Sequence, residues 1–253
     1  MKIEIIKCLK DNYSFLLINE KNNHACVIDP GESKPILDFI ENKNIILKFI
    51  FNTHHHFDHV GGNHDLKKKY NAKVIGFHED KNRIPGIDIC LKDKEIWKSN
   101  DFEAKIFHIP GHTSGHICIS FFKQKILFTG DTLFSLGCGR VFEGTYEQMF
   151  NSLNLIKSFP KDTKIYCGHE YTKNNYDFCN QYEHKNKFLE EKYKFIKSKL
   201  DKNIPTIPVT LLDELNTNIF LRCDNHLLKS KLRSKNASDL EVFKKLRDLK
   251  DSF

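Results

Sequence analysis

The stretch Thr53-His54-His55-His56-Phe57-Asp58-His59 places four imidazoles and one carboxylate within seven residues. Neutral imidazole nitrogens and carboxylate oxygens are the usual ligands of zinc and related metals. Residues 45–51 before the stretch form an apolar and aromatic run that predicts a buried strand. Gly61-Gly62 after it opens a lysine-bearing helix that we expect to end near Tyr70. The histidines therefore lie where a strand ends and a helix begins.

Backbone geometry at this junction divides the potential ligands into two groups. In an extended segment His54 and His56 point to the same side, and His55 points away from them. Asp58 and His59 enter the helix and turn toward a second point in space. This geometry predicts two metal ions rather than one.

Three later apolar runs also end in a glycine and a potential metal ligand. Each run is predicted to be a strand, and ligands at the exits of adjacent strands converge on one edge of a sheet. Two metals that share a bridging carboxylate need about this number of protein groups and leave positions for a water or hydroxide. The runs are residues 102–109 before Pro110-Gly111-His112, residues 125–128 before Thr129-Gly130-Asp131, and residues 164–167 before Gly168-His169.

We assign three protein ligands to each metal and one ligand to both. His112 or His169 alone would be better explained as a structural histidine, but ligand types at four separate strand ends favour a metal site. Zinc is the expected metal, although iron and manganese also suit such ligands. Asp58 and Asp131 are the predicted catalytic carboxylates, acting with a metal-bound hydroxide. The first metal receives His54, His56 and His112, the second receives Asp58, His59 and His169, and Asp131 bridges them.

Composition is typical of a globular protein with one main domain and a smaller appendage. Of 253 residues, 40% are hydrophobic and 29% are charged. The 40 basic and 33 acidic residues give a net charge of +7. The basic residues are scattered, so we expect no nucleic-acid partner.

Eight cysteines without a CxxC pair predict reduced thiols. The reduced thiols and the absence of a leader or membrane-spanning pattern together predict a cytoplasmic protein with no membrane partner. We expect this protein to be a monomer.

Five motifs together identify a family resemblance: THHHFDH, PGHTSGH, FTGDTLF, GCGRVFEGT and YCGHEYT. They resemble the metallo-β-lactamase superfamily and, within it, the glyoxalase II family of hydroxyacylglutathione hydrolases. The resemblance implies an α/β (α+β) fold, with an αββα metallo-β-lactamase sandwich over residues 1–170. It also implies a small helical substrate-binding domain over residues 171–253.

The activity implied by this resemblance is hydrolysis of S-(2-hydroxyacyl)glutathione at two metal ions. With S-D-lactoylglutathione the products would be glutathione and D-lactate, which is the second step of methylglyoxal detoxification. Another enzyme of the superfamily is the alternative, such as a glutathione persulfide (sulfur) dioxygenase. Those dioxygenases use one iron and generally lack the carboxyl-terminal helical domain.

The resemblance also implies the substrate contacts. Arg247 and Lys250, in the terminal LRDLKDSF, would bind the glycine carboxylate of glutathione. Arg140 and Tyr171 would contact the rest of the glutathione moiety. Phe142 stands where some family members have tyrosine, and a phenyl ring cannot donate the hydrogen bond of a phenol.

Elements outside the histidine stretch follow from hydrophobic periodicity and from turn residues. Residues 3–9, 13–18 and 25–29 are predicted strands, and a helix follows from about residue 35 to 41. The last helix is predicted to begin at Ser238, with Glu241 completing a capping box. One helical stripe of core residues is predicted from Phe178, Tyr182, Leu189, Tyr193, Ile196 and Leu200.

Overall fold

The computed structural model describes residues 1–253 and divides the chain into two compact units. Unit 1 comprises Met1–His108 and Gly115–Gly130, and unit 2 comprises Ile109–Ser114 and Asp131–Phe253. The domain boundary expected at residue 170 stays a prediction. None of the helices is both long enough and apolar enough to cross a membrane.

A six-stranded mixed sheet forms the first half of unit 1. Its strands follow one another in space in the order of the sequence, antiparallel from β1 to β3 and parallel from β3 to β6. The strands predicted over residues 3–9, 13–18 and 25–29 are confirmed to within one residue. The strands are β1 (Lys2–Cys8), β2 (Asn12–Ile18), β3 (His24–Ile28), β4 (Ile46–Phe51), β5 (Lys73–Phe77) and β6 (Ile87–Leu91).

Three helices of unit 1 connect the parallel strands. Ile36, Ile40 and Leu66 on these helices join the core that Val27, Leu47 and other strand residues form. The predicted helix at residues 35–41 is confirmed with a shift of one residue, and its proline lies in the first turn. The helices are α1 (Lys34–Ile40), α2 (Phe57–Val60) and α3 (Asn63–Tyr70).

A second, antiparallel ladder in unit 1 packs against the first sheet through aromatic side chains. The Phe49 and Trp97 rings are 4.8 Å apart, and the Phe15 and Phe128 rings are 5.2 Å apart. No strand was predicted at β9, whose five residues are all buried. The strands are β7 (Ile96–Lys98), β8 (Glu103–His108), β9 (Ile117–Phe121) and β10 (Ile126–Gly130).

Unit 2 contains a short hairpin, a strand pair and six helices. The aromatic rings of Phe150 in α4 and Phe243 in α9 lie 5.7 Å apart, so these two helices pack together. The strands are β11 (Leu133–Phe134), β12 (Gly137–Cys138), β13 (Lys164–Cys167) and β14 (Val209–Thr210). The helices are α4 (Tyr146–Lys157), α5 (Thr172–Glu183), α6 (Lys187–Leu200), α7 (Leu211–Thr217), α8 (His226–Lys231) and α9 (Asp239–Asp251).

The prediction of one continuous helical stripe from Phe178 to Leu200 was wrong. Two helices cover this range because the chain breaks at residues 184–186. The Asn186 side chain accepts a hydrogen bond from the Phe188 amide at 3.1 Å and thereby caps a new helix. The predicted start of the last helix is confirmed, and Ser238 and Glu241 form the expected capping box.

Candidate metal centre

The histidine segment of unit 1 leaves β4 and turns at once into α2. His54 and His59 are buried, and their ring centroids lie 4.2 Å apart. The His54 and His56 rings are 4.7 Å apart. The structure therefore brings the histidines predicted as ligands in this segment into one cluster. His55 has a different partner, the buried carboxylate of Asp80, at 3.4 Å from its Nδ1.

Asp58, at the start of α2, lies beside His59. Its Oδ2 is 3.6 Å from His59 Nε2. Asn12 holds this carboxylate by donating from Nδ2 to Oδ2 at 2.8 Å and to the Asp58 carbonyl at 3.1 Å. The side chain at the amino end of α2 is thus fixed by the first residue of β2.

Asp29 is a buried carboxylate that the sequence analysis did not single out. It accepts hydrogen bonds from the Thr53 amide at 2.7 Å, from Thr53 Oγ1 at 2.6 Å and from His59 Nδ1 at 3.0 Å. Its carboxylate also lies within 4.8 Å of ligand atoms of His54 and His59. The available signal was its position, because Asp29-Pro30-Gly31 ends β3, the neighbour of the strand that delivers the histidines.

Asp29 and Thr53 fix which imidazole nitrogens face the cluster. Thr53 Oγ1 uses its only proton on Asp29, so it accepts the hydrogen bond from His54 Nδ1 at 3.1 Å. His59 likewise donates from Nδ1 to Asp29. In the neutral form of both histidines Nε2 is therefore the unprotonated nitrogen, which is the form that binds a metal.

Unit 2 brings its three predicted ligands together around one carboxylate. His169 Nε2 and His112 Nε2 lie 3.2 Å and 3.6 Å from Asp131 Oδ2. His112 donates from Nδ1 to the Arg140 carbonyl at 2.9 Å. All three ligand side chains are buried. The donor types and the nitrogen orientation fit a divalent metal in both units.

Gly139 allows the chain to pass close behind Asp131. A Cβ at this position would lie 1.9 Å from the Asp131 carbonyl oxygen and 3.2 Å from His112 Nδ1. Any larger residue would push the backbone away from both ligands. The GCGR motif therefore has a steric reason for its second glycine.

Two aromatic side chains predicted to contact substrate lie against histidines of unit 2. Tyr171 stacks on His169 with ring centroids 4.7 Å apart and an angle of 8° between the planes. Phe142, 62% exposed, lies with its ring centroid 5.2 Å from that of His112. Both rings therefore adjoin the candidate ligands while part of their surface faces solvent.

Two of the three predicted cationic side chains contact Asp251. Arg247 is buried and donates to Asp251 Oδ1 from Nη2 at 2.8 Å and to the Cys138 carbonyl from Nη1 at 2.7 Å. Arg140 Nε lies 3.4 Å from the same Asp251 oxygen. The ammonium group of Lys250 contacts the side chain of Asn174. Burial, and secondarily the charge of Arg247, lowers the pKa of Lys250 to about 8.

Comparisons with known proteins show the family of this chain. Residues 11–169 match the family model of the metallo-β-lactamase superfamily, and residues 170–253 match that of the hydroxyacylglutathione hydrolase C-terminus. A hydroxyacylglutathione hydrolase from Pelagibacter ubique is 57% identical over 253 residues, which cover 100% of both chains. The chain belongs to the hydroxyacylglutathione hydrolase family of the metallo-β-lactamase superfamily. The family resemblance found in the motifs is confirmed.

A second hydroxyacylglutathione hydrolase and two solved structures are also similar to this chain. A hydroxyacylglutathione hydrolase from Methylococcus capsulatus is 40% identical, with 100% of this chain and 99% of that protein covered. The solved structure of ETHE1 from Myxococcus xanthus has a TM-score of 0.69 at 20% identity, covering 98% of this chain and 91% of that one. BLEG-1, a B3 metallo-beta-lactamase, has a TM-score of 0.68 at 20% identity, covering 87% and 99%. These two structures establish the predicted metallo-β-lactamase fold.

Proposed function

We propose that this chain hydrolyses S-(2-hydroxyacyl)glutathione, with S-D-lactoylglutathione as substrate and D-lactate and glutathione as products. The observation that carries the proposal is full-length similarity to hydroxyacylglutathione hydrolases, including the 84 carboxyl-terminal residues that match their own family model. This reaction would be the second step of methylglyoxal detoxification. Water adds to the thioester carbon, the carbon–sulfur bond breaks, and the sulfur leaves as the glutathione thiolate.

The proposed cofactors are two divalent metal ions. Zinc is the preferred metal, and iron and manganese are the alternatives. The support is the donor chemistry within each unit, where imidazole nitrogens and carboxylate oxygens face one another. Bound metal would supply an activated water near neutral pH and polarise the thioester carbonyl. The proposed ligands are His54, His56 and His112 for one ion, Asp58, His59 and His169 for the other, and Asp131 for both.

The two carboxylates Asp58 and Asp131 are the proposed catalytic groups of the chain. Asn12 holds the Asp58 carboxylate by a hydrogen bond at 2.8 Å, which fixes the oxygen that orients the attacking water. Asp131 holds the proton that the water releases. A thiol with a pKa near 8.5 leaves as a thiolate without a strong general acid, so no further acid residue is required.

The glutathione moiety is proposed to bind through residues of unit 2. Glutathione carries two carboxylates and one ammonium group, so cationic side chains complement its net negative charge. Arg247 and Lys250 would bind the glycine carboxylate, while Arg140 and Tyr171 would contact the remainder. Phe142 offers an apolar surface where a phenol would offer a hydrogen bond.

The proposal also covers location, oligomeric state, partners and domain roles. We propose a cytoplasmic monomer without nucleic-acid or membrane partners, in which residues 1–170 carry the catalytic domain. Residues 171–253 form the substrate-binding domain. The scattered basic residues and the absence of a CxxC pair support this interpretation.

The decisive experiment is hydrolysis of S-D-lactoylglutathione by the purified protein. The assay is run before chelation, after chelation and after zinc is restored, with a thioester that lacks glutathione alongside. We expect metal-dependent turnover that favours the glutathione substrate. Absence of turnover in protein with bound metal would contradict the proposal, and oxygen consumption with glutathione persulfide would then be measured.

A further inference from the structure

The hairpin β11–β12 connects Asp131 to Arg140 and is bonded to the carboxyl-terminal helices. Glu214, in α7, accepts from the Leu136 amide at 2.7 Å and from Ser135 Oγ at 3.1 Å. Side chains of these helices therefore bond the polar groups at the tip of the hairpin.

Two asparagines extend this network to the carbonyl groups of the hairpin. Asn175 Nδ2 donates to the Ser135 carbonyl at 3.0 Å. Asn218 Nδ2 donates to the Gly137 carbonyl at 3.0 Å and also to Glu214 Oε2 at 3.0 Å. The network is continuous from the hairpin to α7.

Glu214 is fully buried, and its charge is balanced inside the protein. Lys192 Nζ, itself buried, lies 3.6 Å from Glu214 Oε1. A buried ion pair is costly to desolvate, so it is weak evidence for a role in stability alone. Leu136, which Glu214 binds, has a φ of +62°, a conformation that is strained for a bulky side chain. The carboxylate therefore holds a strained residue at the hairpin tip.

The hairpin determines where two candidate site residues lie. Asp131 precedes β11, and the Gly139 amide after β12 donates to the Thr132 carbonyl at 3.2 Å. The Arg140 carbonyl accepts the bond from His112 Nδ1. Movement of the hairpin would shift the shared carboxylate, the partner of a histidine ligand and the guanidinium of Arg140 together.

We propose that Glu214 is a positioning residue, which fixes the hairpin and through it the metal affinity at Asp131 and the position of Arg140. Asn175 and Asn218 assist it through the hairpin carbonyls. The proposal rests on the proposed function for the roles of Asp131 and Arg140. It assigns to the helical domain a second task besides binding substrate, since that domain also holds the metal ligands in place.

The test compares Glu214→Gln with Glu183→Gln. Glu183 is also an ion-paired carboxylate of the helical domain, with a side chain 8% exposed and with Arg222 and Asn186 as partners, and these bonds do not involve the hairpin. Zinc affinity is measured for both variants by competition with a chromophoric chelator. We expect Glu214→Gln to weaken zinc binding by about tenfold, the lower end of the cost of losing a direct partner of a metal ligand, because Glu214 acts on Asp131 through the hairpin. We expect Glu183→Gln to keep wild-type affinity. Equal zinc affinity in the two variants would overturn the proposal.

A milder variant covers the case in which Glu214→Gln does not fold. Ser135→Ala removes only the hydroxyl bond to Glu214, and we expect it to weaken zinc binding in the same direction by a smaller factor. Unchanged zinc affinity in Ser135→Ala, with Glu214→Gln unfolded, would overturn the proposal. Zinc affinity is independent of thioester turnover, so a wild-type protein that binds zinc but does not hydrolyse the substrate refutes the proposed function and leaves this test valid.

Discussion

Asp29 shows how one buried side chain organises two candidate ligands. The carboxylate is 2% exposed and accepts three hydrogen bonds, two from Thr53 and one from His59. Burial of a carboxylate is costly unless such bonds satisfy it. Through Thr53 it also orients His54, so Asp29 determines the orientation of two imidazole rings.

We expect Asp29→Asn to weaken metal binding by about 10–100-fold, the usual cost of losing a carboxylate that supports a ligating histidine. Asparagine tolerates the left-handed φ of +49° at this position, so the backbone need not change. Metal content after dialysis and zinc affinity are the measurements. Asp101→Asn is the matched control, because Asp101 binds His24 at 2.7 Å without a neighbouring predicted ligand. Equal zinc affinity in the two variants would refute the role of Asp29.

The lowered pKa of Lys250 leads us to expect that substrate binding depends on pH. Its pKa is lowered to about 8, so it loses its charge as the pH rises through that value. Arg247, Arg140 and Asp177 are charged groups that act on it. We expect KM for the glutathione thioester to rise by roughly tenfold above the pKa, since a hydrogen bond to a charged group is worth about 1.5–3 kcal/mol.

The measurement for Lys250 is KM as a function of pH in wild type and in Lys250→Arg, whose charge does not titrate. A rise of KM of equal size in both would show that another group is responsible. The same shift affects stability with the opposite sign. Between about pH 8 and the ordinary lysine value of 10.5, the unfolded chain binds more protons than the folded one, so this group makes unfolding less favourable as pH increases.

At the scale of elements, α9 depends on its amino-terminal cap. The Ser238 amide donates to Glu241 Oε2 at 2.7 Å, and the Glu241 amide donates to Ser238 Oγ at 3.3 Å. The helix carries Arg247 and Lys250 near its other end. Its cap therefore stabilises the element on which the proposed carboxylate site is built.

We expect Ser238→Ala to lower the free energy of unfolding by about 1 kcal/mol, the typical cost of losing a cap. In a protein of this size that corresponds to a decrease in Tm of about 2–4 °C. Ser238→Asp is the control, because aspartate also accepts the capping bond. Calorimetry or chemical denaturation measures the difference. If both variants lose the same stability, the capping bond is not what stabilises α9.

At the scale of the whole molecule, metal binding and folding are coupled. The proposed ligands come from four strand ends that the unfolded chain does not hold together, so metal binds the folded state more tightly. A ligand present at about 100 times its Kd adds about 2.7 kcal/mol to the free energy of unfolding.

We therefore expect chelation to lower Tm by several degrees, and restored zinc to raise it again as its concentration increases. Differential scanning calorimetry over a zinc titration measures the effect. Magnesium at the same concentration is the control, because it prefers an all-oxygen environment. A Tm that is independent of zinc would contradict metal binding by the folded chain.

Local sequence patterns indicated most of the candidate site residues, but they missed contacts between residues distant in the chain. The histidine segment, Asp131 and the start of α9 at Ser238 each have a local chemical signature. Asp29 lies outside the histidine segment and was missed, because its role depends on the pairing of β3 with β4. The break at residues 184–186 was missed because the apolar residues on both sides fit one helical period.

By itself the sequence determined the family, the donor types of the candidate ligands and most of the elements that carry them, because strand runs, glycine turns and capping residues act over a few neighbouring positions. The tertiary structure alone decided which imidazole nitrogens face the cluster. It also decided that Arg247 is bonded to Asp251 and Cys138. The hydrogen bond between Glu214 and Leu136, which are 78 residues apart in the chain, was also decided by the tertiary structure. Such contacts join residues distant in sequence, and no local pattern records which partners the folded chain brings together.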